Sequence, residues 1–212
     1  MIPLTLRLRK AQHKEIARAQ DMIVAELYRQ FDTAVIHGGT AIWRCYGGNR
    51  FSEDIDVYIL RDIKRADRLF SNLAQKGFTL TKKRITKNSI YSSLAINRIT
   101  VRLEALFKRL PGSLKEYETA DSNFITVYTL TPEELIREKV GAYLDRHKVR
   151  DLYDVFFLLR HVKKKEEIVE HLQKLIRGFK EPVDEEELKV LIIEGLVPEP
   201  ENMLDYIKRW VA

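Results

Sequence analysis

The stretch that decides the fold is Val35-Ile36-His37-Gly38-Gly39-Thr40-Ala41, followed at short range by Arg50-Phe51-Ser52-Glu53-Asp54-Ile55-Asp56-Val57-Tyr58-Ile59. Ala34 to Ile36 is a short apolar run that reads as a buried strand. Gly38-Gly39-Thr40 then offers small residues, free amides and a hydroxyl, with a short helix expected from Ala41 to Tyr46, Thr40 as its N-cap and Gly47-Gly48 as its stop. Backbone amides at a helix start favour anions, and glycines let a phosphate approach the main chain. Asp54 and Asp56 lead into an apolar strand, where residues two apart share a face, so both carboxylates project together. Two neighbouring acids repel and raise one pKa unless a cation sits between them. A hard divalent ion such as Mg²⁺ suits that need. A turn alone, or a solvated acid pair alone, would be commonplace; the two in this order point to nucleotide chemistry.

Outward from this stretch, the whole chain sets bounds. It has 212 residues, long enough for one domain or two small ones, and a hydrophobic fraction of 45%, as in ordinary globular proteins. The single cysteine, Cys45, excludes an internal disulfide and a multi-cysteine zinc site. Met1 to Arg7 lacks a signal-peptide apolar stretch, no run approaches a membrane span, and a reducing cytoplasm is the expected compartment. The formal net charge is +6, and Arg61 to Arg109 holds 13 Lys/Arg against 3 Asp/Glu. That stretch serves either a polyanionic partner, nucleic acid or a triphosphate, or simply solvation.

In chain order, helical spacing from about Leu6 to Phe31 gives a stripe of Ile16, Ala19, Ile23, Leu27 and Phe31. Ile63 to Lys76 reads as a helix closed by Gly77, and Phe78–Ile85 and Ile90–Ile96 as strands joined by a polar turn. Ile99 to Phe107 alternates strictly, with Val101, Leu103 and Ala105 on one face and Arg102 and Glu104 on the other. Beside the Asp54–Asp56 strand, Glu104 would be a third acid; otherwise it pairs with Arg102 or a lysine. Arg109 to Asn123 reads as a linker, and Phe124 to Thr129 as one more strand. Thr131-Pro132-Glu133-Glu134 is a capping box opening a helix on which Lys139 and Arg146 share a face. A lysine on that largely apolar stripe either snorkels or meets an anion. Asp151 and Asp154 are neighbours on a following helix that runs to about His161, and first-turn acids ordinarily serve the helix dipole. Helices near Glu166–Gly178, Asp184–Glu194 and Glu199–Trp210 complete the chain.

Together the strand–Gly-Gly-Thr–helix, Arg50-Phe51-Ser52-x-Asp54-Ile55-Asp56, Glu138-Lys139-x-x-Ala142 and Arg150-Asp151-Leu152-x-Asp154 resemble the AbiEii/AbiGii toxin family. That family belongs to the DNA-polymerase-β type of nucleotidyltransferases. The resemblance implies an α/β (α+β) fold: an N-terminal nucleotidyltransferase mixed sheet with flanking helices over residues 1–124, and a C-terminal helical bundle over 125–212 completing a cleft. It further implies an NTP substrate, Mg²⁺ (two ions, with Mn²⁺ as a substitute), an RNA acceptor such as a tRNA 3′ end, and a separate antitoxin protein. By position, Asp54, Asp56 and Glu104 are expected to hold metal. Gly38, Gly39, Thr40, Ser52, Lys139, Arg146 and Asp154 are expected at the nucleotide; Lys139 is also expected in the catalytic set, with Asp151 there to orient Lys139 or contact the nucleotide. Transfer to a small antibiotic-type molecule, and a non-catalytic nucleotide-binding module acting through a protein partner, are the competing functions.

Overall fold

A computed structural model of the protein describes residues 3–212. Seven strands form one mixed sheet: β1 (Val35–His37), β2 (Ile55–Ile59), β3 (Thr79–Ile85), β4 (Ser89–Ile96), β5 (Ile99–Phe107), β6 (Ser113–Glu118) and β7 (Phe124–Thr129). Their order is β3-β4-β5-β2-β1-β7-β6, with β2 parallel to β5, β1 parallel to β7, and the other pairs antiparallel. The helices are α1 (Leu4–Arg7), α2 (Ala11–Gln30), α3 (Gly38–Cys45), α4 (Ile63–Gln75), α5 (Pro132–Arg146), α6 (Val149–Leu158), α7 (Val169–Arg177), α8 (Glu187–Leu191) and α9 (Pro200–Val211). None is long and apolar enough to cross a membrane.

The sheet buries different residues on its two faces because successive side chains point opposite ways. Ile36, Ile55, Val57, Val101 and Leu103 join one apolar cluster with Ile16, Ile23 and Leu27 of α2 and Leu69 and Leu73 of α4. Val35 and Tyr58 instead join a second cluster built from α5, α6, α7 and α9. Helix α3 sits where the two meet: Ala41 and Trp43 belong to the first, Ile42 and the following residue Tyr46 to the second. The alternation in β5 and the capping box at Thr131 are as the sequence suggests, with Thr131 and Glu134 bonded reciprocally.

Four elements depart from the sequence reading. Arg109 to Asn123 is not all linker: β6 lies within it as an edge strand beside β7, its Tyr117 fully buried. The expected division at residue 124/125 falls at the first residue of β7, which hydrogen-bonds into the sheet. The N-terminal helix is broken: Leu4 and Leu8 are both buried and Arg7 is paired with Glu118 of β6, so residues 8–10 leave the helical path before α2. Helix α8 ends early, because Ile192 turns extended and bridges to Arg50 in the loop before β2. Phe51 N donates to Leu191 O (2.9 Å) and Ile193 N to Asn49 O (2.8 Å).

Candidate active site

The cleft lies on the sheet face that meets α5 and α6, with a volume of about 230 Å³. Its acids are Asp54, Asp56 and Glu104; its cations are Arg50, Arg102, Lys139, Arg146 and Arg150. Gly39, Ser52 and Tyr91 complete the lining. Register brings the acids together: Asp56 of β2 stands directly opposite Glu104 of its parallel neighbour β5. Asp54 comes just before the first paired residue of β2. Glu104 has no ion-pair partner among the described residues, whereas Arg102, two residues away on the same face, donates two hydrogen bonds to Asp54, one of 2.7 Å from its Nε.

The glycines have a packing role. Gly38 has φ +68°, a left-handed conformation that glycine adopts without steric cost, and a Cβ there would lie 2.3 Å from Asp56 Oδ2. At Gly39 a Cβ would lie 2.6 Å from an Arg50 nitrogen and 2.7 Å from Ser52 Oγ. The pair therefore lets the acid strand and the Arg50–Ser52 loop close onto the start of α3. That helix begins at Gly38, so Thr40 is not its N-cap. The Thr40 hydroxyl is fully buried and donates to the Asp54 carbonyl, fixing the turn into β2 instead of facing a phosphate.

Asp151 and Asp154 do more than serve the helix dipole: Asp151 orients Lys139, one of the two roles expected of it, while Asp154, expected at the nucleotide, is withdrawn from the cleft surface. Both are fully buried behind the cleft. Asp154 accepts two 2.8 Å bonds from Arg50 and one ion pair of 2.7 Å from Lys139. Asp151 accepts from Arg146 (2.7 and 2.9 Å) and from Lys139 (3.3 Å). These acids of α6 thus aim the cations of α5 and of the 49–53 loop. Burial alone would raise the Asp154 pKa, but Arg50 and Lys139 outweigh it and hold the carboxyl below its ordinary value. The loop itself is held from α2, where Gln20 Nε2 donates to Ser52 O at 2.9 Å.

Asp56 shifts the other way. Burial raises its pKa; His37 and Lys139 oppose this, while Asp54 and Glu138 add to it. His37 lies opposite Asp56 in the β1–β2 register, stacks on Tyr58 (4.0 Å between centroids), and meets Glu138 of α5 at 3.1 Å through Nδ1. Tyr58 also donates to Glu138 (2.6 Å). Burial pulls Glu138 up, yet the His37 and Tyr58 contacts hold its pKa below the ordinary value. His37 and Glu138 lie inside the motifs that signal the site, but nothing in their spacing shows that they meet. Arg50, Tyr91, Arg102 and Arg150 are likewise invisible as cleft residues until the sheet order and the packing of α6 are known.

A strand–glycine–helix unit beside paired strand acids, faced by cations from a helical bundle, defines the nucleotidyltransferase class. The family profile described as nucleotidyl transferase AbiEii toxin, type IV toxin–antitoxin system, matches residues 23–206, and the chain belongs to that family. It is a nucleotidyltransferase. Similar solved structures include JHP933 from Helicobacter pylori (21% identity, TM-score 0.67, covering 95% of this chain and 91% of that one). The MenT4 nucleotidyltransferase toxin Rv2826c from Mycobacterium tuberculosis H37Rv is similar at 18% identity and TM-score 0.66, over 100% of this chain and 94% of that one. The antibiotic-resistance factor ANT(2'')-Ia is more distant, at 15% identity and TM-score 0.51 over 76% of this chain and 91% of that one. These likenesses concern the fold. No curated protein matches the sequence significantly.

Proposed function

We propose that the cleft transfers a nucleoside monophosphate from an NTP to a hydroxyl of RNA, a tRNA 3′ end being the favoured acceptor, as the toxin of a toxin–antitoxin pair. The observation that carries this reading is the meeting of Asp54, Asp56 and Glu104 with Lys139, Arg102 and Arg146 in one cleft. The acceptor oxygen attacks the α-phosphorus, the bond from that phosphorus to the bridging oxygen breaks, and pyrophosphate leaves.

The donor set fits a hard divalent ion such as Mg²⁺, because three carboxylates share one surface and the half-buried Asp56 lacks a compensating ion pair among the described residues. Among the described residues no three such side chains stand close enough to hold an ion, and Asp54 is paired with Arg102. Asp54, Asp56 and Glu104 would hold it once Asp54 leaves Arg102, and bound metal supplies activation of the nucleophile and stabilisation of the leaving oxygen. Lys139 and Arg146, aimed by Asp151, neutralise charge that builds on pyrophosphate, and Arg102 becomes available to a phosphate oxygen. Glu104 would complete the metal shell or take the hydroxyl proton. Gly39 and Ser52 contact the phosphates.

The test is incubation of the protein with each α-labelled NTP, Mg²⁺ and total RNA, beside Asp54→Ala. Label in a small RNA with the wild type alone, and loss of at least a thousandfold in the variant at unchanged melting temperature, is expected. Wild-type turnover by Asp54→Ala overturns the mechanism. Nucleotide binding without labelled RNA turns the reading toward a small-molecule acceptor or a non-catalytic module.

A further inference from the structure

The acids do not end the functional face of the sheet. Asp56 pairs in register with Glu104, Glu104 with Tyr91 of β4, and Tyr91 with Arg84 of β3, so one straight row crosses four strands from the cleft to the sheet edge. At about 4.8 Å per strand, Arg84 lies about 14 Å from the β2 acids. The neighbouring row runs Arg102, Ser93, Lys82. Ser93 lies between Arg102 and Lys82, and the row beyond it, Thr100, Ala95 and Thr79, is also of small residues. Tyr91 is the aromatic residue of the cleft lining.

The two faces of this arm treat their lysines differently. On the face covered by α4, Lys83 is neutralised by Asp67 at 2.6 Å and lies over Phe70. On the cleft side, Lys82 and Arg84 have no carboxylate partner among the described residues, and Lys82 Nζ rests 5.0 Å from the Tyr91 ring centroid. From Thr79 to Glu104 there are six Lys/Arg and one acid, Glu104 itself. β3 is exposed along its whole length. Charges on an edge strand also prevent edge-to-edge pairing, but that role needs neither an aromatic in line with the acids nor unpaired cations on one face only.

We propose that the cleft-side face of the β3–β4 arm binds the single-stranded end of the RNA acceptor, with Tyr91 as stacking platform and Lys82 and Arg84 on its phosphates. This rests on the RNA-transfer reading above. An aromatic ring accepts any unstacked base, and adjacent cations follow the backbone, so the arm delivers a terminal nucleotide to the acids without selecting sequence.

The test is anisotropy of a labelled, unstructured 12-nucleotide RNA with the full chain, in EDTA and without NTP. Lys82→Ala/Arg84→Ala is expected to weaken binding at least tenfold and to reduce the salt slope by about 1.4, about 0.7 for each phosphate contact on a single strand. Tyr91→Ala is expected to weaken it roughly 5- to 100-fold, with Tyr91→Phe near wild type. Lys83→Ala, on the other face, should stay within about twofold, as for a position outside the track. Wild-type RNA affinity in both the double variant and Tyr91→Ala overturns the proposal, as does equally tight, arm-dependent binding of poly-glutamate, which would mark a surface for an acidic protein. The transfer assay separates the two claims. If the wild type labels RNA and the arm variants do so equally at limiting RNA, the track is wrong and transfer stands. If RNA binds through the arm but is never labelled, the track stands and transfer fails.

Discussion

Asp56 shows how a single carboxylate here works against its own solvation. Burial raises its pKa, so the ionised form is disfavoured in the fold relative to the unfolded chain. A carboxyl raised in this way favours the fold while protonated, and that advantage is lost as pH rises through its folded value. Asp56→Asn, measured in metal-free buffer, should therefore melt above the wild type at pH 7, and the gap should close as pH falls toward the ordinary carboxylate range. A constant gap across that range would show that Asp56 is not penalised. Transfer by this variant should be lost despite the added stability. Gly38 is bound to the same carboxylate: Gly38→Ala places a methyl against Asp56 Oδ2 at a positive φ. The left-handed backbone costs about 1–2 kcal/mol, read from the urea midpoint, and displacement of Asp56 should lower transfer far more than this loss of stability explains.

At the scale of elements, α6 is the brace of the cleft. Its Asp154 joins α5, through Lys139, to the loop before β2, through Arg50. Asp154 has the opposite sign to Asp56: its lowered pKa stabilises the fold at neutral pH, and that contribution disappears on acidification through the folded value. Removing one member of a buried pair strands the others, so Asp154→Asn should destabilise the protein by about 3 kcal/mol or more in chemical denaturation at pH 7. A change under about 0.5 kcal/mol would mean that the surface-like null effect of an ordinary substitution applies here, and that the brace is not structural. The elements themselves were largely legible in the sequence. The β5 alternation and the Thr131 capping box depend on local spacing, which a linear reading captures. β6 was hidden because an edge strand buries one face only; Tyr117 is buried while Leu114 is exposed, and Pro111-Gly112 before it reads as loop. The break before α2 was hidden because it follows from the pairing of Arg7 with Glu118, more than a hundred residues away.

For the molecule as a whole, the sheet, the helical bundle and the basic arm converge on one face. The sequence by itself determined the class: strand, Gly38-Gly39-Thr40, helix and Asp54-x-Asp56 form a local unit whose chemistry follows from spacing. It also carried the family, through four blocks in order, and the uneven charge. Only the tertiary structure decided which acids and cations meet. Strand order sets Glu104 opposite Asp56 and leaves Arg102 on Asp54, although a linear reading equally allowed Arg102 to pair with Glu104. Packing of α6 behind α5 turns Asp151 and Asp154 from helix-start acids into buried anchors for Lys139, Arg146 and Arg50. The physical reason is range. Propensity, capping and periodicity act within a few residues, whereas ion pairing and desolvation depend on which distant segments share a surface, and that is set when the sheet and the two apolar clusters close.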